Sequence, residues 1–243
     1  AGKGKRMKSI DKVKKPYLGI NNLTLFEICT KNIKSKIANI YALNGDKEDK
    51  AFNRFPADSN NIFVGDTYSS IETLSQSINK VNLPDDNNIL ISPCDASIDL
   101  NWNDLLEKYN NDKDFDAIIF TFSGYPYAKW MPDQYGWLSV NKDNSVKEIF
   151  YKKGWDKDFL NPIITGYFFF PNIGKLKNDL KVFQESLNKT QNEVSIDEFC
   201  QFLIDSNNKV ISYQVDDFLC LGTPLEFRTY EYFLEANEIS KIN

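Results

Sequence analysis

Histidine is absent from all 243 residues of this chain. The absence excludes every site that depends on an imidazole, including Ser-His-Asp and Cys-His nucleophile pairs, H-E-x-x-H zinc sites and acid–base catalysis by histidine. The enzymatic reactions that remain are those that need charge neutralisation more than proton transfer. Phosphoryl and nucleotidyl transfer are the leading class of this kind.

Cysteines and long apolar runs are also scarce. The four cysteines are Cys29, Cys94, Cys200 and Cys220. No pair has C-x-x-C spacing, and a secreted disulfide scaffold would be far denser, so we predict buried, reduced thiols in a cytoplasmic protein. Apolar runs such as residues 117–120 and 167–170 are far shorter than the roughly 18–20 residues that cross a bilayer, so no membrane partner is expected.

The net charge of −5 is distributed unevenly. Residues 1–15 hold seven lysine and arginine side chains against one acid, Asp11, which leaves +6 in this segment and −11 in the remainder. A basic segment of this kind is typical of a solvated tail, of an arm that binds nucleic acid, or of a cradle for phosphate groups.

Apolar runs typical of strands alternate with helical patterns through the first half of the chain. The predicted strands include residues 117–122 and 163–170, and the predicted helices include residues 67–81, 102–109 and 196–203, the first of them with a Thr or Ser cap ahead of Glu72. With 42% apolar and 14% aromatic residues the chain can build a sizeable core. The alternation predicts an α/β fold with a mixed, mainly parallel sheet flanked by helices, and a hairpin around residues 141–144 adds antiparallel strands. We expect one domain over residues 1–243. Because a glycine turn usually follows a strand, the first strand of that domain is expected to precede residue 1.

The first motif with chemical content is G-x-G-x-R-M, from Gly2 to Met7, with Lys15-Pro16 nine positions after Arg6. Glycines let backbone N–H groups approach a phosphate chain, while arginine and lysine neutralise its oxygens. The pattern is neither a P-loop nor a dinucleotide fingerprint. A nucleic-acid arm would explain the charge equally well, but only a phosphate cradle explains the glycine spacing and the Lys-Pro pair.

Two further motifs lie at the ends of predicted strands. Residues 89–95, I-L-I-S-P-C-D, place Asp95 at the carboxyl edge of the sheet, where open α/β folds bind ligands. A simple turn cap is the alternative role for Asp95. Residues 221–224, L-G-T-P, read as a strand, a turn and a helix start.

Together these motifs resemble those of the sugar-phosphate nucleotidyltransferase family, and the similarity runs nearly end to end. Residues 135–137 (Y-G-W), 146–152 (V-K-E-I-F-Y-K) and 165–169 (T-G-Y-F-F) resemble its later strand motifs. The resemblance implies a Rossmann-like, nucleotide-diphospho-sugar transferase-like fold and Mg²⁺ as the cofactor. It also implies transfer of a nucleoside monophosphate from a triphosphate to a phosphorylated small-molecule acceptor, with release of pyrophosphate. Small single-domain members of the family that activate compounds for surface polysaccharides, such as capsule, often use CTP. Their acceptors include phosphocholine-like and phosphoglutamine-like molecules as well as sugars, so the resemblance implies CTP as the nucleotide and a role in such synthesis.

The resemblance also assigns site residues. Two basic side chains act on the transferring phosphates: Arg6 and Lys15. The nucleotide contacts a second set: Ala1, Gly2, Gly4, Ser70, Glu72 and Cys94. The acceptor contacts a third set: Gly136, Lys152, Thr165 and Gly166. The metal ligands are Asp95 and Asp217.

Cys220 stands where the family often has its second acidic metal ligand, two residues before the late Gly-Thr. Asp217, or its neighbour Asp216, is the nearest substitute, although neither is in register. The same departure keeps a non-catalytic nucleotide-binding relative as an alternative. A glycosyltransferase of the related GT-A type is another, but its D-x-D pair would need an acid at Ser97. The sequence indicates no nucleic-acid partner and leaves a homodimer open.

Residues 125–137 contain five aromatic side chains. A packed corner between a loop and a strand is one interpretation of this segment. An aromatic wall against the acceptor is the other.

We predict that Lys152→Ala raises the KM for the acceptor about tenfold or more and leaves the nucleotide KM nearly unchanged, because its partner is the acceptor phosphate. Steady-state kinetics with both substrates varied measures the two constants. Lys147→Ala, in the same strand motif, is the control. Equal effects of Lys152→Ala on both substrates would remove Lys152 from this role.

Overall fold

The computed structural model describes residues 7, 9–10, 15–20, 22–30, 40–43, 60–64, 67–101, 105, 114–151, 161–187 and 193–240. Its strands are β1 (Gly19–Ile20), β2 (Leu23–Thr24), β3 (Ile40–Leu43), β4 (Asn60–Phe63), β5 (Ile89–Ile91), β6 (Ala96–Asp99), β7 (Ala117–Phe122), β8 (Gly136–Val140), β9 (Val146–Tyr151), β10 (Ile163–Phe170), β11 (Val210–Gln214) and β12 (Asp217–Cys220). Its helices are α1 (Leu25–Thr30), α2 (Ser70–Lys80), α3 (Pro126–Trp130), α4 (Ile173–Ser186), α5 (Ile196–Asp205) and α6 (Pro224–Ser240).

A six-stranded mixed sheet forms the centre of the fold, in the order β11-β7-β10-β8-β9, with β5 paired to β10 on the same side as β8. Strand β10 is antiparallel to β5, β7 and β8, whereas β11 is parallel to β7. Strands β5, β7, β8 and β11 therefore share one direction. The predicted mixed α/β sheet flanked by helices is confirmed. The sheet was also expected to be mainly parallel. Four of its six strands do run in one direction, but most neighbouring strands pair antiparallel, because β10 lies between strands that run opposite to it.

Both faces of the sheet are buried. On β7, Ala117 and Ile119 pack into one hydrophobic cluster, with residues of α2, α4 and α5, while Ile118 and Phe120 pack into another. All four side chains are fully buried. This double burial explains the near-continuous apolar run of the strand and confirms the pattern expected of a sheet covered on both sides.

Helix starts are set by side-chain caps. The Ser69 hydroxyl accepts the Glu72 N–H at 3.0 Å, so α2 begins at Ser70. At α5, Ser195 and Glu198 form a capping box in which each side chain accepts the other's backbone N–H. Both helices were predicted from their apolar spacing, and the caps fix where they begin.

Four described elements were not anticipated: the paired short strands β1 and β2, strand β6 and helix α3. Strand β6 is four residues long and, among the described strands, pairs with β12, which follows more than 100 residues later in the chain. Helix α3 lies within the aromatic segment 125–137. The helix predicted over residues 102–109 falls outside the described residues, except for Leu105, which is helical and buried. In the part of the chain that the structure describes, no helix has the length and apolar character needed to cross a bilayer.

Strand β10 contains a bulge beside β7, where Thr165 to Tyr167 face Phe120 alone. The Thr165 hydroxyl donates a hydrogen bond to the Phe120 carbonyl at 2.9 Å, which replaces a ladder bond that the bulge interrupts. Gly166 has φ +87°, a left-handed conformation that favours glycine. The bulge therefore changes the direction of the β10 backbone near the end of β5.

Replacing the cap of α5 tests its contribution to stability. We predict that Ser195→Ala lowers the free energy of unfolding by about 1 kcal/mol, because the Glu198 N–H loses its acceptor, whereas Ser195→Gly lowers it by only a few tenths. Urea denaturation followed by circular dichroism measures both. Equal destabilisation by the two variants would contradict the capping role.

Candidate active site

Asp95 lies at the carboxyl end of β5, four residues beyond Ile91 and directly before β6. Its carbonyl accepts the backbone N–H of Leu221 at 2.7 Å, which extends the β6–β12 ladder by one step. The strand end that carries Asp95 is thus tied to the Leu221-Gly222-Thr223 turn. The structure therefore places Asp95 at the sheet edge that the sequence predicted.

Lys15 reaches the same point from the N-terminal motif. Its ammonium group forms an ion pair with Asp95 Oδ2 and donates to the carbonyl of Gly222 at 3.2 Å. The side chains of Lys15 and Asp95 are only 10% and 19% exposed. Residues from all three sequence motifs therefore meet here, although 80 positions separate Lys15 from Asp95 and 207 separate it from Gly222.

The space around Gly222 at this point leaves no room for a side chain. A Cβ atom on it would lie 3.1 Å from Asp95 Oδ2 and 3.2 Å from Cys220 Sγ. Both distances are tighter than ordinary van der Waals contact, so a larger residue would push the turn away from the ion pair.

The predicted acceptor residues Thr165 and Gly166 lie beside this edge. Strands β10 and β5 are antiparallel, with Phe168 opposite Ile91. The bulge therefore continues past the end of β5, and a Cβ on Gly166 would lie 3.2 Å from Pro93 Cγ. The bulge accordingly packs against the segment that leads to Asp95.

Gly136 begins β8 in a tightly filled position. A Cβ there would come within 2.9 Å of Asp197 Oδ2 and 2.9 Å of Ile164 Cδ1. Ile164 directly precedes Thr165, so Gly136 lies near the bulge of β10. Its described contacts are packing contacts with the first turn of α5 and with β10.

Ser70 and Glu72 serve the start of α2. The Glu72 carboxylate accepts the Tyr68 N–H at 2.8 Å and the Gln76 amide at 3.2 Å, and the Ser70 hydroxyl donates to the Val194 carbonyl at 3.5 Å. Within the described residues, these hydrogen bonds do not connect either side chain to Lys15 or Asp95. The structure therefore shows a helix-capping role for Glu72, and its nucleotide contact stays a prediction.

Five of the predicted site residues lie outside the described residues: Ala1, Gly2, Gly4, Arg6 and Lys152. Their roles stay predictions.

Three thiols lie in the electrostatic environment of Asp95. Removal from water raises the pKa of Cys29, Cys94 and Cys220, and the negative charge of Asp95 raises each further, with Glu226 adding to the effect on Cys220. All three thiols are therefore protonated at neutral pH. Protonated thiols are poor ligands, and Mg²⁺ prefers oxygen.

The structure does not bring Asp217 to Asp95. In the β6–β12 ladder Cys220 is opposite Ala96, while Asp217 is opposite Asp99. Asp99 is four positions along the chain from Asp95, and in an extended strand four positions correspond to a distance of roughly 13 Å. Asp217 is therefore too distant to share one ion with Asp95, and Cys220 occupies the register position next to that carboxylate.

The donor set at this edge fits a hard divalent cation only in company with a nucleotide. Asp95 offers one carboxylate, and the described residues contain no group of three or more histidine, cysteine or acidic side chains able to hold a metal. Mg²⁺ in proteins is often held by one or two carboxylates together with waters and substrate phosphates. Asp95 fits that pattern, and the Lys15 ammonium is its positive partner in the structure.

Glu226 is a residue that the sequence analysis missed. It is 2% exposed, and it caps α6 by accepting the Thr223 N–H at 2.9 Å. The pattern T-x-x-E over residues 223–226 is the signal that would have identified this cap.

Solved structures provide the comparison with known proteins, since no protein-family model and no curated protein matches the sequence. A nucleoside-diphosphate-sugar pyrophosphorylase from Vibrio cholerae superposes with a TM-score of 0.73 at 16% identity, over 96% of this chain and 97% of the other. This is a nucleotidyltransferase fold. The family resemblance inferred from the motifs is thereby confirmed at the level of the fold.

Two further matches share this fold. The inositol-1-phosphate CTP transferase from T. maritima has a TM-score of 0.70 at 16% identity, over 93% of this chain and 88% of the other. A CMP:2-keto-3-deoxy-manno-octonic acid synthetase in complex with CTP has a TM-score of 0.65 at 11% identity, over 92% of each chain. Both likenesses extend along nearly the whole chain.

We predict that the protein binds Mn²⁺, used as a probe for Mg²⁺, only when a nucleoside triphosphate is present, because one carboxylate already paired with Lys15 is a weak isolated site. Water proton relaxation enhancement detects metal held on the protein. Asp95→Asn should remove the nucleotide-dependent enhancement, and Cys220→Ser should retain it. Tight Mn²⁺ binding without nucleotide, or loss of the enhancement in Cys220→Ser, would contradict this account.

Proposed function

We propose that the chain is a nucleotidyltransferase domain, over residues 1–243, that transfers a nucleoside monophosphate to a phosphorylated small-molecule acceptor and releases pyrophosphate. The observation that carries the proposal is the meeting of Lys15, Asp95 and the Gly222 turn at the carboxyl end of β5. This is the edge at which open α/β sheets bind ligands, and there the lysine of the Lys-Pro pair meets a single carboxylate.

The chemistry fits a chain without histidine. An acceptor phosphate oxygen is already an anion, so in-line attack on the α-phosphorus requires no general base, and pyrophosphate leaves as the P–O bond to the α-phosphorus breaks. The obstacle is the approach of two polyanions, which positive charge and alignment overcome. A segment with a net charge of +6 in an otherwise acidic chain is suited to that task.

Lys15 is placed to neutralise phosphate charge. Its ammonium pairs with Asp95, and a bound triphosphate would offer it a second, more highly charged partner. Arg6 would bind the same phosphates through its planar guanidinium. When bound with the nucleotide, Mg²⁺ would neutralise further charge on the triphosphate, with Asp95 as its protein ligand.

The acceptor is proposed to bind beside the β10 bulge. There the ladder is interrupted, so backbone groups of Thr165 and Gly166 are candidates to bind acceptor hydroxyls. The Thr165 hydroxyl itself is engaged with the Phe120 carbonyl, so its part in this site is to hold the bulge. Lys152 would bind the acceptor phosphate.

CTP is the favoured nucleotide. Two of the matching structures carry CTP in their names, as a CTP transferase and as a synthetase in complex with CTP. We further propose that the product is a cytoplasmic precursor for capsule or another surface polysaccharide.

We expect pyrophosphate release when the protein is mixed with Mg²⁺, one of the four nucleoside triphosphates and a member of a panel of phosphorylated acceptors. A coupled pyrophosphatase assay measures it. Lys15→Ala and Arg6→Ala should each reduce turnover by on the order of 10²-fold or more, because each removes positive charge that stabilises the transferring phosphate. Asp95→Asn should have an effect of similar size, because it removes the carboxylate proposed to hold Mg²⁺. Lys181→Ala, exposed on α4 beyond the opposite end of β10, is the control.

Near-wild-type turnover in both Lys15→Ala and Arg6→Ala would refute the assignment. Breakdown of a nucleotide-sugar without pyrophosphate formation would identify a glycosyltransferase instead. Nucleotide binding without turnover across the panel would identify a non-catalytic relative.

A further inference from the structure

Glu226 is a buried carboxylate with several hydrogen-bond donors around it. Its Oε2 accepts the backbone N–H of Thr223 at 2.9 Å, and its Oε1 accepts the hydroxyls of Tyr125 at 2.9 Å and Tyr135 at 2.7 Å. The Cys220 thiol lies near it, and the charge of Glu226 raises the pKa of that thiol beyond the effect of burial. Hydrogen bonds to an ionised group are shorter and stronger than neutral ones, so this carboxylate fixes its partners firmly.

The donors come from two segments near the candidate active site. Thr223 directly follows Gly222, whose carbonyl accepts a hydrogen bond from the Lys15 ammonium and where a Cβ atom would lie 3.1 Å from Asp95 Oδ2. Tyr135 directly precedes Gly136, the first residue of β8. One carboxylate therefore connects the turn on the phosphate side to the strand start on the predicted acceptor side.

The tyrosine rings make this connection rigid. The rings of Tyr125 and Tyr135 pack edge to face with centroids 5.6 Å apart, and Tyr125 packs on Phe218 of β12 at 5.0 Å. Burial and the charge of Glu226 raise the pKa of Tyr125 far above its usual range, so its hydroxyl stays a donor. The aromatic segment 125–137 is thus partly a packed corner, with two phenols directed at Glu226.

One of these hydrogen bonds caps α6, but helix capping does not require the two tyrosine hydroxyls. Apolar side chains of similar volume would fill the same corner without removing a carboxylate from water, and such replacements are often neutral or stabilising. A directional arrangement of three oxygen and nitrogen donors around one carboxylate instead fixes the relative position of the two segments.

We propose that Glu226 is a positioning residue that aligns the phosphate side of the active site with the acceptor side through Thr223 and Tyr135. The inference rests on the proposed nucleotidyltransfer reaction and goes beyond it, because Glu226 contacts neither substrate in that scheme. The alignment matters because the attacking oxygen and the α-phosphorus must approach in line, and a displacement of about 1 Å costs on the order of 10²-fold in rate.

The test separates alignment of the acceptor from general stability. Tyr135→Phe removes one hydroxyl from Glu226 and leaves the ring packing in place. Tyr127→Phe is the matched control, since Tyr127 belongs to the same segment and its hydroxyl makes no hydrogen bond to Glu226 in the described part of the chain. We expect Tyr135→Phe to raise the acceptor KM about tenfold, while the nucleotide KM stays within about twofold, as for loss of one hydrogen bond to a charged group.

Glu226→Gln adds a second measurement. If the Tyr135 hydroxyl acts through Glu226, the effect of Tyr135→Phe on the acceptor KM disappears in the Glu226→Gln background, which a double-mutant cycle measures. If Glu226→Gln fails to fold, the comparison of Tyr135→Phe with Tyr127→Phe decides alone.

The outcomes are distinguishable. Wild-type protein that releases no pyrophosphate with any substrate pair overturns the proposed function and this inference with it. Active wild-type protein, with Tyr135→Phe indistinguishable from Tyr127→Phe, overturns the inference alone. Equal increases in both KM values in Tyr135→Phe also overturn it, because they indicate a general loss of structure.

Discussion

The ion pair between Lys15 and Asp95 is the interaction on which the rest of the candidate site depends. Both groups are largely withdrawn from solvent, and a charge in that position must be paired or hydrogen-bonded to be tolerated. The pair therefore fixes the N-terminal motif against the end of β5, and the Gly222 carbonyl adds the late turn to the same cation. Three segments distant in sequence are held together by one ammonium group.

The sheet supports this arrangement through β10. Its antiparallel course between β5 and β7 brings a bulge, rather than a regular ladder, to the end of β5. The strands themselves were predictable: the expected bounds of β7 and β10 agree with the structure, because burial on both faces leaves continuous apolar runs. The bulge was not predictable, because it arises from a mismatch of register between two strands, and single-strand patterns carry no information on register.

The lack of register information also explains which site residues could be predicted from the sequence. Lys15 and Asp95 were identified because their motifs combine local signals, a strand end and a basic glycine turn, with a family resemblance. Asp217 was chosen as a metal ligand because it is close in sequence to Cys220, where the family often has an acid. The pairing of β12 with β6 places Asp217 away from Asp95. The helix cap ahead of Glu72 was predictable, because a serine three residues before an acid is typical of a helix start, and Ser69 is that cap. The same pattern does not distinguish an acid that caps the helix from one that contacts a ligand.

Cys220 illustrates how a local departure from a family pattern follows from its surroundings. Its thiol is buried near Glu226 and Asp95 and lies against Gly222, and burial together with the charges of the two carboxylates raises its pKa. An acid at this position would place another negative charge beside two existing carboxylates, and like charges that close cannot all remain ionised without a metal between them. A protonated thiol adds no charge and avoids this repulsion. The charge of Asp95 is then balanced by Lys15, and the charge of Glu226 is stabilised by its three hydrogen bonds.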